Sequence, residues 1–506
     1  MARLENKFTK FVFPFRYEEG QLDPMLPKCQ GKHGERCVFE PISMSTEELR
    51  DGLDDLLSLD GGSAKVADCY RLNANSRSYF NLPNRKTDYL ELHSRQGNDN
   101  QPYRVTVSEI GVYLFESGVG VLEIECGYES DSVDDYINLN YFISEVKSEK
   151  NYFISTREKF DQQTRTKTQI EYKFTVKELV DGIIASMLTD KEIERPVKLF
   201  DIKPIVYSYM LLNERPENYE VLLKYAAKNF KDSYQLSEES FPVNFYNPFD
   251  NSCWGVTMKG VVNISHLTDN EGTNDFFKNL FYEKMKRTYF VLFLHVIHQK
   301  YATMLMLSKM GQLDRLAMNY RVMKQELLQA QRCRSEAYNL MFRAFFQVPS
   351  EQEHVNKYYE YLFRNFRVND LQTNFKNDIA NLENICDTYI RRIKTRKNKI
   401  KEKKSALTEI FVAIFGTVVA EITLINSSWD LIEKLYGRSV GIYSTAVIAL
   451  LATMVLPLVT ITVDVIKRIK DIRKINRDLD EEVDNDLIEA SFDKRASKRQ
   501  QAKGKK

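Results

Sequence analysis

The chain has 506 residues, and its 72 lysines and arginines almost balance its 71 aspartates and glutamates, so a net charge of +1 indicates no particular class of partner. Seven cysteines, an odd number spread from Cys29 to Cys386, favour reduced thiols and argue against a small disulfide-stapled secreted domain. The first residues contain no apolar stretch of signal-peptide length, so we expect the N-terminus to stay in the cytoplasm.

Residues 1–270 are predicted to form a cytoplasmic domain of mixed α and β structure. Two alternating apolar stretches around the turn Glu116–Gly118 predict a β-hairpin, "YRVTVSEIGVYLF" and "GVGVLEIEC". Thr175 and Glu178 form the capping box of a helix in "TVKELVDGIIASML". A further helix is predicted in "STEELRDGLDDLLSL", and further strands in "TQIEYKFTV", "KPIVYSYMLL" and "WGVTMKGVVNIS". We expect a linker at 270–272.

Residues 271–404 are predicted to be helical, with breaks at Gly311 and Pro349. The last helix should run without interruption from Val368 to Ile425, about 87 Å, because neither proline nor glycine occurs between Val368 and Phe415. Its apolar residues recur every three or four positions and form a seam typical of coiled coils. This seam either joins subunits or packs inside one subunit as an antiparallel bundle; it comprises Phe375, Ile379, Leu382, Cys386, Tyr389, Ile393 and Ile400.

Residues 405–464 are predicted to cross a membrane twice. Leu407–Ile425 is 19 residues, about 28 Å as a helix, and Val440–Val463 has no charge in 24 residues. Nine lysines and arginines precede the first span within Arg391–Lys404, and the tail 465–506 is also basic, whereas the 13-residue loop 426–438 is not. The positive-inside rule then places both termini in the cytoplasm. We therefore expect a multi-pass protein of the cell inner membrane.

This architecture resembles the CorA-type family of magnesium channels and transporters. The stretch "LTEIFVAIF", Leu407–Phe415, is similar to the start of that family's first span. The resemblance covers the architecture from about Thr273 to Arg477. It implies a homopentamer with magnesium as the permeant ion.

One departure from the family concerns its Gly-Met-Asn triad at the outer end of the first span. With Ala413–Phe415 set on the family's equivalent residues, the triad falls on Asn426, Ser427 and Ser428, so it is absent. By its size and the missing triad, the chain resembles the divergent CorA-like membrane effectors of antiviral defence that occur beside type III CRISPR systems. That resemblance implies gating by a nucleotide second messenger such as an adenylated S-adenosylmethionine, at a site that the sequence does not identify.

Glu421 is the single carboxylate inside the first apolar run. Thr417 and Glu421 lie one helical turn apart, so they share a face, and Asn426, Ser427 and Ser428 follow as a polar collar. A lipid-facing carboxylate is costly, so we expect these residues to line an aqueous pore, which requires several subunits. The alternative is that Glu421 is protonated or reaches the outer interface.

Other chemistry is weakly indicated. Cys29, His33 and Cys37 have spacing and ligand types suited to zinc but lack an adjacent fourth ligand. His295 and His298 lie on an apolar helix and favour core packing. We expect no enzyme, because P-loop, HExxH and GxSxG motifs are absent from the sequence. We also expect no direct nucleic-acid partner, because the basic run adjoins a span and fits lipid.

Three functions stay open from the sequence. The first is a ligand-gated, ion-conducting effector, the second a constitutive magnesium transporter, and the third a non-conducting membrane-anchored signalling or scaffold protein.

Overall fold

The protein is described by a computed structural model. For some residues within helices and strands, Thr417 and Glu421 among them, only the backbone is described. The structure describes residues 2–18, 38–44, 48–49, 57, 66–94, 102–160, 167–187, 197–231, 245–313, 320–345 and 349–435, together with positions 463, 466, 467 and 470.

The described strands form one sheet of 13. Its order is β11-β12-β13-β10-β1-β6-β5-β4-β7-β8, while β3 pairs with β2 and β5, and β9 pairs with β1. Neighbouring strands in this described part are antiparallel except for β10 and β13. The strands are β1 Leu4–Arg16, β2 Phe39–Pro41, β3 Ala67–Leu72, β4 Leu90–Ser94, β5 Tyr103–Phe115, β6 Val119–Tyr128, β7 Asn151–Phe160, β8 Lys167–Phe174, β9 Lys198–Leu199, β10 Ile205–Leu212, β11 Phe245–Phe249, β12 Ser252–Val256 and β13 Gly260–His266.

The predicted hairpin is present as β5 and β6, joined by the turn Glu116–Gly118. Gly118 has φ +82°, a backbone conformation that favours glycine, and its carbonyl accepts from Tyr17 N–H at 2.9 Å. The predicted strand "WGVTMKGVVNIS" instead divides into β12 and β13. Thr257 N–H bonds to the carbonyl of Gly260 at 2.8 Å and closes a turn between them.

Three helices pack on one face of the sheet and share a continuous apolar core with it. The three helices are α1 Val133–Ser144, α2 Val176–Ser186 and α3 Tyr219–Lys228. The capping box that was predicted for α2 is confirmed, since Thr175 Oγ1 accepts from Glu178 N–H while Glu178 accepts from Thr175 N–H. The other predicted helix, "STEELRDGLDDLLSL", lies almost wholly outside the described residues.

The opposite face of the sheet packs against a second set of helices: α4 Glu271–Asp275, a π-helical turn Phe276–Leu280, α5 Phe281–Lys286, α6 Thr288–Gly311 and, later in the chain, α8 Glu353–Asn365. Aromatic contacts join the two layers. The rings of Tyr207 on β10 and Phe290 on α6 lie 5.2 Å apart, and those of Trp254 and Tyr358 lie 4.2 Å apart. The ends of α6 at Gly311 and of α7 Tyr320–Ala344 before Pro349 agree with the predicted breaks.

The chain divides into two compact units. The first, Met1–Arg315 with Leu328–Ile385, holds the sheet and the helices that pack on it. The predicted boundary near residue 270 therefore falls inside this unit, because α5 and α6 complete the core on one face of the sheet. Asn270 caps α4 by accepting from Thr273 N–H at 3.1 Å, which is a helix start rather than a linker.

The second unit comprises Leu316–Leu327 and Cys386–Lys506. Its described part consists mostly of the residues from Cys386 onward of α9, a helix whose bounds are Val368–Leu435 and whose earlier residues belong to the first unit. At 68 residues α9 is about 100 Å long and extends ten residues beyond the predicted end at Ile425. Residues 426–435, the first ten of the predicted outer loop, are therefore helical. Neither glycine nor proline occurs among them, so nothing in this stretch ends the helix earlier.

Candidate functional site

The first candidate site is an exposed apolar segment of α9, residues 407–425. Five of the large apolar side chains described on it are about half or more exposed, whereas Leu407 and Ile410 are partly buried; the five are Phe411 53%, Val412 66%, Phe415 66%, Val419 48% and Ile422 54%. Scattered exposed apolar residues are normal on soluble proteins, but a contiguous patch marks an interaction with a membrane or a partner. The described part of a single chain does not bury this segment, so we expect a membrane or a partner to contact it.

These five exposed side chains occupy one arc of the helix. At about 100° per residue, Phe411, Phe415 and Ile422 fall within about 40° of one another, and Val412 and Val419 extend the arc to about 100°. Positions 417 and 421 lie about 150° from the centre of this arc. The two predicted pore positions therefore share the side of the helix opposite these five side chains, a side that also carries Ile410 and Ile414.

Most of the predicted pore-lining side chains lie outside the described residues. For Thr417, Glu421, Asn426 and Ser428 only the helical backbone is described. Ser427 is exposed, and its hydroxyl donates to the carbonyl of Thr423 at 2.8 Å. Asn426, Ser427 and Ser428 thus continue the helix instead of forming a loop collar, which corrects their predicted backbone state.

The predicted seam on α9 is covered within one chain over most of its length. Phe375, Ile379, Leu382, Cys386 and Tyr389 are buried, with exposed fractions from 0% to 5%. The ring of Phe375 lies 6.0 Å from that of Phe345 on α7. This burial favours the antiparallel bundle inside one subunit. Ile393 and Ile400 are half-buried, so a seam between subunits has room only beyond Tyr389.

The sequence reasoning missed a cluster of charges buried between the sheet and α5–α6. Lys10 on β1 forms ion pairs with Glu123 and Glu125 of β6, the second at 3.1 Å, and all three side chains are at most 5% exposed. Lys286, at the end of α5, contacts Glu125 at 2.8 Å. Tyr113 on β5 donates a hydrogen bond to Glu123.

The electrostatics of the cluster follow from this geometry. Burial alone would raise the pKa of Glu125, but Lys10 and Lys286 lower it to about 2. Burial lowers the pKa of Lys10, yet the two carboxylates outweigh burial and raise it. Two ammonium groups balance two carboxylates, so the cluster needs no ligand to be neutral and joins the sheet to the helices.

Signals for this cluster are present in the sequence. Lys10 interrupts the apolar stretch "FTKFVF", and Glu123 and Glu125 lie two residues apart in "VLEIEC", which places both on one face of a strand. Three charged residues within strands whose other residues are mostly apolar indicate a buried ion cluster.

The residues predicted to bind zinc and the two histidines predicted to pack in the core are treated differently by the structure: the first set lies outside the described residues, and the second is described. Cys29, His33 and Cys37 lie outside the described residues. Within the described part of the chain, no group of three or more histidine, cysteine, aspartate or glutamate side chains is placed to hold a metal ion. His295 and His298 are buried, as predicted, and burial lowers their pKa values to about 4 and about 3.

By length and composition, one helical stretch in the described part is able to cross a membrane: Glu271–Gly311, with a mean hydropathy of 1.3. It was not predicted as a span. Its most apolar window is 83% buried, and Phe290 and Phe293 on it contact Tyr207 of the sheet at 5.2 Å each. A buried core helix passes the same test of length and composition, and this stretch packs in the core of the first unit.

Comparison with known proteins gives no family: no family model matches the chain, and no curated protein is significantly similar to it.

Proposed function

We propose that the protein is an oligomeric, CorA-like membrane protein that conducts ions, with α9 as its first membrane-spanning helix. The observation that carries this proposal is the exposed apolar arc of Phe411, Val412, Phe415, Val419 and Ile422. A bilayer would cover this arc, and burial of apolar surface gains about 25 cal/mol per Å². The second predicted span, Val440–Val463, lies outside the described residues except for Val463.

The conducting role is supported by the position of Glu421. When the apolar arc faces lipid, the side of the helix that carries positions 417 and 421 faces away from lipid. A carboxylate at that position avoids the cost of about 2.5–3.5 kcal/mol that insertion scales give for a charge in the membrane. Two spans cannot enclose water, so the aqueous path requires several subunits around it.

In this proposal the sheet domain is the cytoplasmic part that senses the activating signal. The resemblance suggests a nucleotide second messenger and a role in antiviral defence, while constitutive magnesium transport is the alternative within the conducting class.

The test is ion flux in liposomes that contain the purified full-length oligomer. Dye-reported flux of monovalent cations or of magnesium, with or without added nucleotide, supports conduction. Flux without any activator favours the constitutive transporter. Correctly inserted oligomers that pass no ion under any of these conditions favour a membrane-anchored scaffold and contradict the proposal.

Topology is tested separately with single introduced cysteines. Trp429→Cys should react with a membrane-impermeant maleimide in intact cells, and Ser405→Cys should react only after permeabilisation. The reverse pattern contradicts the orientation.

A further inference from the structure

The stretch Arg391–Lys404 of α9, here called the basic segment, lies directly before the apolar segment. It contains nine lysines and arginines and one carboxylate, Glu402, and all nine basic side chains are exposed. In the described part of the chain, no carboxylate pairs with Lys397, Lys399, Lys401, Lys403 or Lys404. With nine basic side chains against one carboxylate, the segment presents a dense positive charge.

The basic residues surround the helix. At about 100° per residue, their positions are spread over its whole circumference. Contact with another subunit on one side would still leave several of these cations facing outward. This arrangement differs from a solvated helix face stabilised by pairs of opposite charge at spacings of three or four.

We propose that the basic segment binds the phosphate headgroups of anionic lipids in the cytoplasmic leaflet. The inference rests on the proposed membrane insertion of the apolar segment, because that insertion fixes the height of each cation above the lipid. Lys404 lies three residues before Leu407, about 4.5 Å along the helix, whereas Arg391 lies sixteen residues before it, about 24 Å.

Distance from the bilayer divides the basic segment into two parts. The Debye length is about 8 Å at physiological ionic strength. Lys401, Lys403 and Lys404 lie within about 10 Å of the start of the apolar segment, so their charges reach the headgroups. Arg391 and Arg392 lie more than two Debye lengths away, so their attraction to lipid is screened. The cations nearest to Leu407 therefore carry the lipid binding.

The test compares two double variants with the same loss of charge. Full-length protein is purified in mild detergent with equal mole fractions of phosphatidylglycerol and phosphatidylcholine, and retained lipids are counted by native mass spectrometry. Wild type should retain phosphatidylglycerol in preference. A surface cation contributes about fivefold to anionic-lipid binding, so Lys403→Gln with Lys404→Gln should weaken retention at least tenfold.

Arg391→Gln with Arg392→Gln is the matched control and should change retention by no more than about twofold. Equal retention of the two lipids by wild type, or equal losses in the two variants, overturns the inference. Alkaline carbonate extraction of wild-type membranes separates the possible failures. Protein that stays in the membrane without a preference for phosphatidylglycerol contradicts only the lipid inference, whereas protein that is extracted contradicts the proposed function itself.

Discussion

Lys10 of β1 and Glu125 of β6 meet between the sheet and α5–α6, with Nζ and Oε2 3.1 Å apart and each side chain only 5% exposed. Such a pair gains little over well-packed apolar residues, but the removal of one partner leaves a buried charge without compensation. Because Lys10 also pairs with Glu123 and lies 4.3 Å from the centre of the Phe290 ring, its loss should loosen the contact between the sheet and α6.

Lys10→Met should therefore destabilise the protein by about 3–5 kcal/mol. Thermal unfolding of the full-length protein in detergent, followed by tyrosine fluorescence, measures the effect. Lys278→Met is the control, since Lys278 pairs with Glu5 at 3.9 Å and both side chains are more than 40% exposed. Such a surface pair contributes at most about 1 kcal/mol. Equal effects of the two substitutions would contradict the assigned role of the cluster.

Gly120 of β6 lies against the buried ring of Phe15. A Cβ at this position would lie 2.2 Å from ring atoms of Phe15, and that ring is completely buried in the core. Gly120→Ala should cost at least 1–3 kcal/mol through overpacking. At Gly311, at the end of α6, a Cβ meets no described atom within 4 Å, so Gly311→Ala should be neutral or stabilising. Chemical denaturation measures the free energy of unfolding of both variants. A Gly120→Ala variant as stable as wild type would show that the sheet can shift at this strand.

Acid should weaken the first unit through its buried histidines. The pKa of His298 is lowered to about 3 by burial and by nearby His295, against an ordinary value of 6.5. Between these values the unfolded chain binds a proton that the folded chain does not, so stability falls as the pH falls, by up to about 1.4 kcal/mol per pH unit for each such histidine. Melting temperatures at pH 7, 6 and 5 should show this decline.

His298→Phe should reduce that pH dependence. It removes the titrating ring and preserves a flat aromatic side chain against Phe115, whose ring lies 4.0 Å away in a stacked arrangement. An identical slope in wild type and His298→Phe would exclude His298 as its source.

The seam on α9 should respond differently along its length. Leu382 is 2% exposed, so Leu382→Ala should cost about 2–5 kcal/mol in stability. Ile393 is half-buried, and Ile393→Asp should lower the oligomeric mass in detergent while leaving the melting temperature nearly unchanged if subunits meet beyond Tyr389. Light scattering coupled to size exclusion measures the mass. An unchanged mass would place the subunit contacts away from this position.

Local signals predicted much of the fold. The alternation in Tyr103–Phe115, the capping box at Thr175 and the uninterrupted run after Val368 each depend on neighbours in sequence, and each is present. The predicted boundary near residue 270 had no such basis, because whether α6 packs on the sheet depends on contacts such as Tyr207 with Phe290, far apart in the chain.

The candidate sites also differ in whether they depend on neighbours in sequence or on contacts between distant residues. The exposed apolar segment follows from its own composition, whereas the buried cluster depends on pairing between β1 and β6, which sets Lys10 beside Glu125. The periodicity of the seam predicted which residues are buried from Phe375 to Tyr389. It could not show that their own chain covers them, because a stripe of apolar residues packs equally well within a subunit or between subunits.

The central claim, an ion-conducting pore lined by Glu421, is tested most directly by the reversal potential of the reconstituted full-length protein under a salt gradient. The reversal potential is measured for wild type and for Glu421→Gln, with whatever nucleotide or ion opens the channel. The difference between the two values gives the effect of the charge at position 421. A ring of carboxylates attracts cations in a narrow lumen, so wild type should prefer cations. Glu421→Gln preserves shape and polarity and should assemble normally, with its reversal potential shifted toward zero. An unchanged reversal potential in a variant that still conducts would place Glu421 away from the ion path and contradict the account.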